Sequence, residues 1–77
     1  MPLKINKLDL ENIIGKPVGT TLFGAYYSGF LDYDEYGKLT LYSFEKEFIS
    51  YLFGGEIISV EGKGKHFQIQ KKLLKRN

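Results

Sequence analysis

Polar or glycine-bearing turns cut this chain into alternating runs of five to eight residues, and one glycine, Gly29, lies inside such a run rather than at its end. Runs that short, each bounded by a turn, exclude long helices and large open sheets. They read as strands of a small β protein. The runs are 18–22, 26–33, 39–44, 48–53, 56–60 and 66–70, separated by Gly24, by "DEYGK", by "EKE", by Gly54-Gly55 and by "EGKGK". A glycine inside the second run predicts a bend or a close approach of another backbone.

Ahead of the strands, "LDLENIIGK" places Leu8, Leu10, Ile13 and Ile14 at mixed spacings of three and four. Asp9 and Glu11 come early and Gly15 is the stop, which predicts about two turns of helix, with Pro17 barring continuation. The last segment, "KKLLKRN", predicts a further helical turn or a frayed end. The expected fold class is mainly β: a short N-terminal helix followed by a small, strongly bent, five- or six-stranded antiparallel sheet forming an open barrel. With 77 residues and no repeat or linker, residues 1–77 read as one domain, with 61–77 as an extra hairpin strand and basic tail.

The expected core is Leu22, Leu31, Leu39, Leu41, Ile57 and Val60. At about 1.5–3 kcal/mol per buried side chain, six such residues offset the ordering of only a fraction of the chain. No cysteine is present to reinforce them with a disulfide or a zinc site. Self-association is the remaining device, and a homo-oligomer is expected. No apolar run approaches the ~18 residues of a membrane span, and the first residues lack a signal-peptide core, so no membrane association and a cytoplasmic location are expected.

The net charge of +2 conceals a division. Residues 1–61 carry five basic and nine acidic side chains, a net of −4, whereas 62–77 carry six basic and no acidic ones. A block of this kind attracts phosphates or another anionic surface, or serves as a solvated end. The single histidine, His66, composes no catalytic triad or metal set, and the glycines of "GKGK" lack the Lys-Ser/Thr pair and following helix of a phosphate loop. Asp32, Asp34 and Glu35 lack the distal ligands of a calcium loop, and an exposed tip offers little means to shift a carboxylate pKa for catalysis. No catalytic residue, metal or cofactor is predicted, and the chain is not expected to be an enzyme.

Two spaced motifs resemble those of the Sm-like proteins, the group that includes LSm subunits and Hfq. The first runs through Leu10, Ile14, Gly15, Lys16, Val18, Leu22, Gly24, Gly29, Leu31, the acidic loop, Leu39 and Leu41, and the second spans Leu52 to Val60. The resemblance implies single-stranded RNA as partner and assembly into six- or seven-membered rings by pairing of sheet edges. It further implies a base-stacking loop at Asp34, Tyr36 and Lys38, if one residue is deleted after Leu31, and a second wall at Phe53 and Gly54. A gapless register instead places Glu35 and Gly37 in the acidic and stacking positions. Lys38 replaces the family's base-reading Asn and Phe53 its clamping Arg, which puts uridine selectivity in doubt. Beside the resemblance, Lys63, Lys65 and His66 are candidate contacts to a nucleic-acid backbone. The competing reading of the loop is a charged turn without a ligand.

A second resemblance, to PRC-barrel interaction modules, rests on "IIGKPV", "DEYGKL" and "FISYLFGGEIISVEGKGKHFQI". It implies docking of a protein partner or RNA-processing machinery and, unlike the first, uses residues 61–70.

Overall fold

A computed structural model describes residues 3–76. In chain order its elements are β1 (Leu3–Lys4), α1 (Lys7–Ile13), β2 (Pro17–Leu22), β3 (Ala25–Tyr33), β4 (Leu39–Tyr42), β5 (Phe48–Tyr51), β6 (Glu56–Val60), β7 (Lys63–Gln68) and a short 3-10 turn, Lys71–Leu73. The strands form one unclosed sheet in the order β1-β7-β6-β2-β3-β4-β5. The mainly β class with one short helix is as expected. The expected count and purely antiparallel pairing are corrected: there are seven strands, and β1 runs parallel to β7, with Leu3 opposite Phe67 and Lys4 opposite Gln68.

The helix starts where local chemistry starts it. Asn6 is extended and its side chain accepts from the Asp9 N–H at 2.8 Å, filling one of the orphan donors of the first turn. Leu10 and Ile13, one turn apart, are buried, whereas Leu8 is exposed. Ile14 leaves helical geometry, and Gly15 follows in the left-handed region at φ +90°.

Two hairpins use two-residue turns with both central residues left-handed: Phe23-Gly24 at φ +51° and +78°, and Glu61-Gly62 at +51° and +77°. This turn matches the natural twist of paired strands. Gly29 sits opposite Val18 within β3 and has an ordinary φ. It is required by space: a Cβ there would collide with the Tyr42 backbone carbonyl of β4. The mid-strand glycine is thus a site of close backbone approach.

Twelve apolar side chains are buried together, among them Leu22, Leu31, Leu39, Leu41 and Ile57 as expected, while Val60 is half-buried against them. The remainder include Ile5, Leu52, Ile69 and Leu73, drawn largely from the two ends of the chain. The ends interlock, since the Ile5 N–H donates to Gln68 O at 3.0 Å and Gln70 Nε2 donates to Ile5 O at 2.6 Å. Beyond the 3-10 turn the tail returns to the start of β4. There Leu39 N–H donates to Leu74 O at 2.8 Å, and Arg76 N–H donates to Gly37 O at 2.7 Å. Tyr33 fastens it: its hydroxyl donates to Leu73 O at 2.7 Å, and the Arg76 guanidinium lies 4.8 Å from its ring centre. No helix among the described residues is long and apolar enough to cross a membrane.

Candidate nucleic-acid interface

The acidic tip is organised by one of its acids. Asp34 Oδ1 accepts from the N–H groups of Tyr36 at 2.9 Å and Lys38 at 2.8 Å. The Asp34 N–H donates to Lys38 O, and Gly37 N–H donates back to Asp34 O, both at 2.9 Å. Gly37 takes φ +76°. The Lys38 N–H holds the Asp34 carboxyl below its usual range against a smaller burial effect, with help from the Tyr36 N–H, the Tyr51 hydroxyl and the Lys38 charge. Asp32 also spends an oxygen locally, on the Tyr33 N–H at 2.8 Å.

The loop from β4 to β5 repeats this bonding pattern with a serine in place of the aspartate. Ser43 N–H donates to Glu47 O and Lys46 N–H to Ser43 O, each at 2.8 Å, while Ser43 Oγ accepts from Glu47 N–H at 3.1 Å. Lys46 holds the left-handed position that Gly37 holds in the first loop, at φ +66°. Asp34 is therefore a turn-forming residue.

What the turn positions is the start of β4. Lys38 forms an antiparallel bridge with Lys75 of the returning tail. Leu39, fully buried, receives the tail through its N–H and receives Leu52, just past β5, through its carbonyl at 3.1 Å. Three segments distant in sequence therefore meet at one residue. Around it lies an open groove of about 240 Å³ lined by Lys38, Tyr51, Phe53 and Lys75 over a floor that includes Leu52 and Leu74. The Lys38 ammonium sits 5.1 Å from the centre of the Tyr51 ring. Burial raises the Tyr51 pKa, and its hydrogen bond to Asp34 raises it further, keeping the phenol protonated.

The other wall stands on the double glycine. Gly54 and Gly55 take φ +125° and +90°, and a Cβ on Gly55 would lie 2.5 Å from the Thr21 carbonyl oxygen, so the bend packs directly on β2. Phe53, 66% exposed, projects at this bend with its ring centre 6.1 Å from that of Phe23.

The structure thus brings Lys38 and Phe53 to one groove; Asp34 does not line it but accepts from the Lys38 N–H, and Gly54 lies in the neighbouring bend. Tyr36 is exposed at the tip and does not line the groove. Lys63 and Lys65 line a different groove of about 360 Å³, between the helix and the β6–β7 hairpin, together with Asp9, Lys16, Glu61 and Phe67. His66 lines neither; its Nε2 lies 3.1 Å from Glu56 Oε2. Tyr51 and Lys75 complete the first groove; the sequence did not single out Tyr51, and it offered Lys75 only as one member of the basic C-terminal block. Tyr51 reads there as one more strand aromatic, and the tail carries no local signal of where it docks. No protein-family model, curated protein or solved structure matches this chain, so the Sm-like and PRC-barrel-like resemblances rest on the quoted residues alone.

Proposed function

We propose that this chain is a non-enzymatic, cytoplasmic binding module of the open Sm-like barrel kind that takes single-stranded RNA in the groove between the acidic tip and the double-glycine bend. The observation that carries the reading is the lining of that groove: two cations, Lys38 and Lys75, and two rings, Tyr51 and Phe53, with no carboxylate among the lining residues. Rings on an apolar floor accept the face of any base, and flanking ammonium groups neutralise phosphates without choosing sequence. Among the described residues no amide or guanidinium lines the groove to read a base edge, so weak base preference goes with the proposal.

Ring assembly is the less supported part of the Sm-like reading. β7 pairs along β6, and β1 covers part of β7, so the outer edge of β6 is not available to a second subunit. Twelve buried apolar side chains in place of the expected six also weaken the argument that the chain needs neighbours for a core. The strand that closes this edge favours the second reading, a PRC-barrel-like docking module, since that resemblance includes residues 61–70.

Titration of labelled oligo-U, oligo-A and duplex DNA at two salt concentrations tests the proposal. Salt-sensitive binding of both single strands, tighter than duplex, supports it; no binding to any of them at low salt removes it. Light scattering separates the assemblies: a hexamer or heptamer restores the ring, and a monomer or dimer favours the docking module.

A further inference from the structure

The turn between β2 and β3 contains a residue that the fold does not call for. A two-residue turn with both central residues left-handed is served best by Asn, Asp or Gly at its first position, because a bulky side chain is strained there. The β6–β7 hairpin makes the same turn with Glu61, a polar residue whose carboxylate reaches Lys16 at 3.7 Å. At the β2–β3 turn the position is held by Phe23, 84% exposed, the highest value among the exposed large apolar side chains. Phe23 therefore combines an unfavourable backbone conformation with a wetted aromatic ring, and neither contributes to the core.

The ring has one neighbour of note. Its centre lies 6.1 Å from that of Phe53 at an interplanar angle of 47°, so the two rings touch without covering each other's faces. Phe53 lines the groove that holds Lys38 and Lys75. The aromatic surface of the groove thus continues past its rim onto the hairpin tip.

We infer that Phe23 is a second stacking residue for an unpaired nucleobase, so that a strand held at Lys38 and Lys75 lays consecutive bases on Phe53 and Phe23. The inference rests on the RNA reading of the groove and extends it from one base to two. The ligand class is a single-stranded oligonucleotide of any base composition, because every base offers a face to stack. Strained, exposed side chains concentrate at binding sites, which is the reason to look for a ligand at this turn.

The test uses Phe23→Asn, which suits the left-handed position and removes the ring, together with Phe23→Tyr, which keeps it. The expected result is a thermal midpoint for Phe23→Asn at or above that of the unmodified protein, with oligo-U and oligo-A affinity lower by about fivefold or more. The slope of affinity against salt stays unchanged because no phosphate contact is lost, and Phe23→Tyr binds as the unmodified protein does. Unmodified protein that binds oligonucleotide and a Phe23→Asn variant that binds equally well overturn the inference while leaving the groove intact. Unmodified protein that binds no oligonucleotide removes the RNA reading, and this inference with it. Loss of self-association in place of RNA affinity on Phe23→Asn overturns it in favour of a contact between copies.

Discussion

The groove at Lys38 and Lys75 and the groove at Lys63 and Lys65, which also holds Lys16, each set lysines over an apolar floor, but their acids are placed differently. In the first, no carboxylate lines the walls among the described residues, and Asp34, bonded to the Lys38 N–H, is engaged by two backbone N–H groups and the Tyr51 hydroxyl. In the second, Asp9 and Glu61 stand among the cations, and Glu61 is 3.7 Å from Lys16. The difference teaches that a basic count along a sequence overstates the surface available to phosphates wherever the fold sets acids among the bases. The C-terminal block supplies lysines to both grooves, and only the folded path of the tail distinguishes Lys75 from Lys63.

Four changes break or sharpen that contrast. The largest effect belongs to Gly29→Ala, which attacks the close approach of β3 to β4. A Cβ there meets the Tyr42 backbone carbonyl, which cannot rotate away. The cost lies at or beyond the upper end of the ~1–3 kcal/mol typical of overpacking, read as a fall in melting temperature of roughly 10 °C or more. Gly19→Ala is the control. Its Cβ meets the Tyr26 hydroxyl and the Ser59 Oγ, which are side-chain ends able to swing aside, so the fall in melting temperature is smaller.

Next is Phe53→Ala, which removes a stacking face from the first groove only. Oligo-U affinity falls by the equivalent of about 1–3 kcal/mol, with melting temperature little changed because the ring is exposed. Smaller again is the effect of single cations on the salt slope. Lys38→Ala and Lys75→Ala each lower the slope of log affinity against log salt by about 0.7, the value for one phosphate contact on a single strand. Lys63→Ala and Lys65→Ala leave it close to that of the unmodified protein. A larger change at Lys63 or Lys65 would reverse the assignment of the two grooves.

The smallest effect is that of Asp34→Asn, which keeps an oxygen for the turn but removes the charge. Because the folded Asp34 carboxyl sits below its usual range, its ionised form adds stability that is complete above the ordinary Asp pKa. That contribution is lost as pH falls through the lowered folded value. Urea unfolding followed over the acid range should therefore show a shallower acid loss for Asp34→Asn than for the unmodified protein. The asparagine also takes a negative charge from beside the first groove, so its oligonucleotide affinity should rise slightly.

Much of the frame was legible because it is encoded locally. Alternation located β2 through β6 to within a few residues, Gly15 marked the end of the helix, and Gly24 and Gly37 fall in turns as expected. The helix starts at Lys7, one residue before the expected stretch, and β7 begins at Lys63 rather than His66, since a tight turn at Glu61-Gly62 lets pairing with β6 start at once.

The illegible parts are those made by distant partners. β1 is only two residues long, too short for any periodicity, and owes its existence to β7. Leu73 looked like part of a solvated basic end, yet it is buried, and its carbonyl takes the Tyr33 hydroxyl from 40 residues away. The same holds within the groove. Lys38 and Phe53 were readable as loop residues that the resemblance placed together, whereas Lys75 became a partner only when the tail crossed back to β4. His66 was readable as a candidate backbone contact but not as a neighbour of Glu56.

The central claim is that one groove, built where β4, the end of β5 and the tail meet at Leu39, is the place where a single strand binds. Amide and side-chain NMR of the labelled protein during titration with short oligo-U tests it most directly. The account predicts that the signals moving first and furthest belong to Lys38, Tyr51, Phe53 and Lys75. Shifts confined to Lys63, Lys65 and His66, or no shifts at low salt, would contradict it.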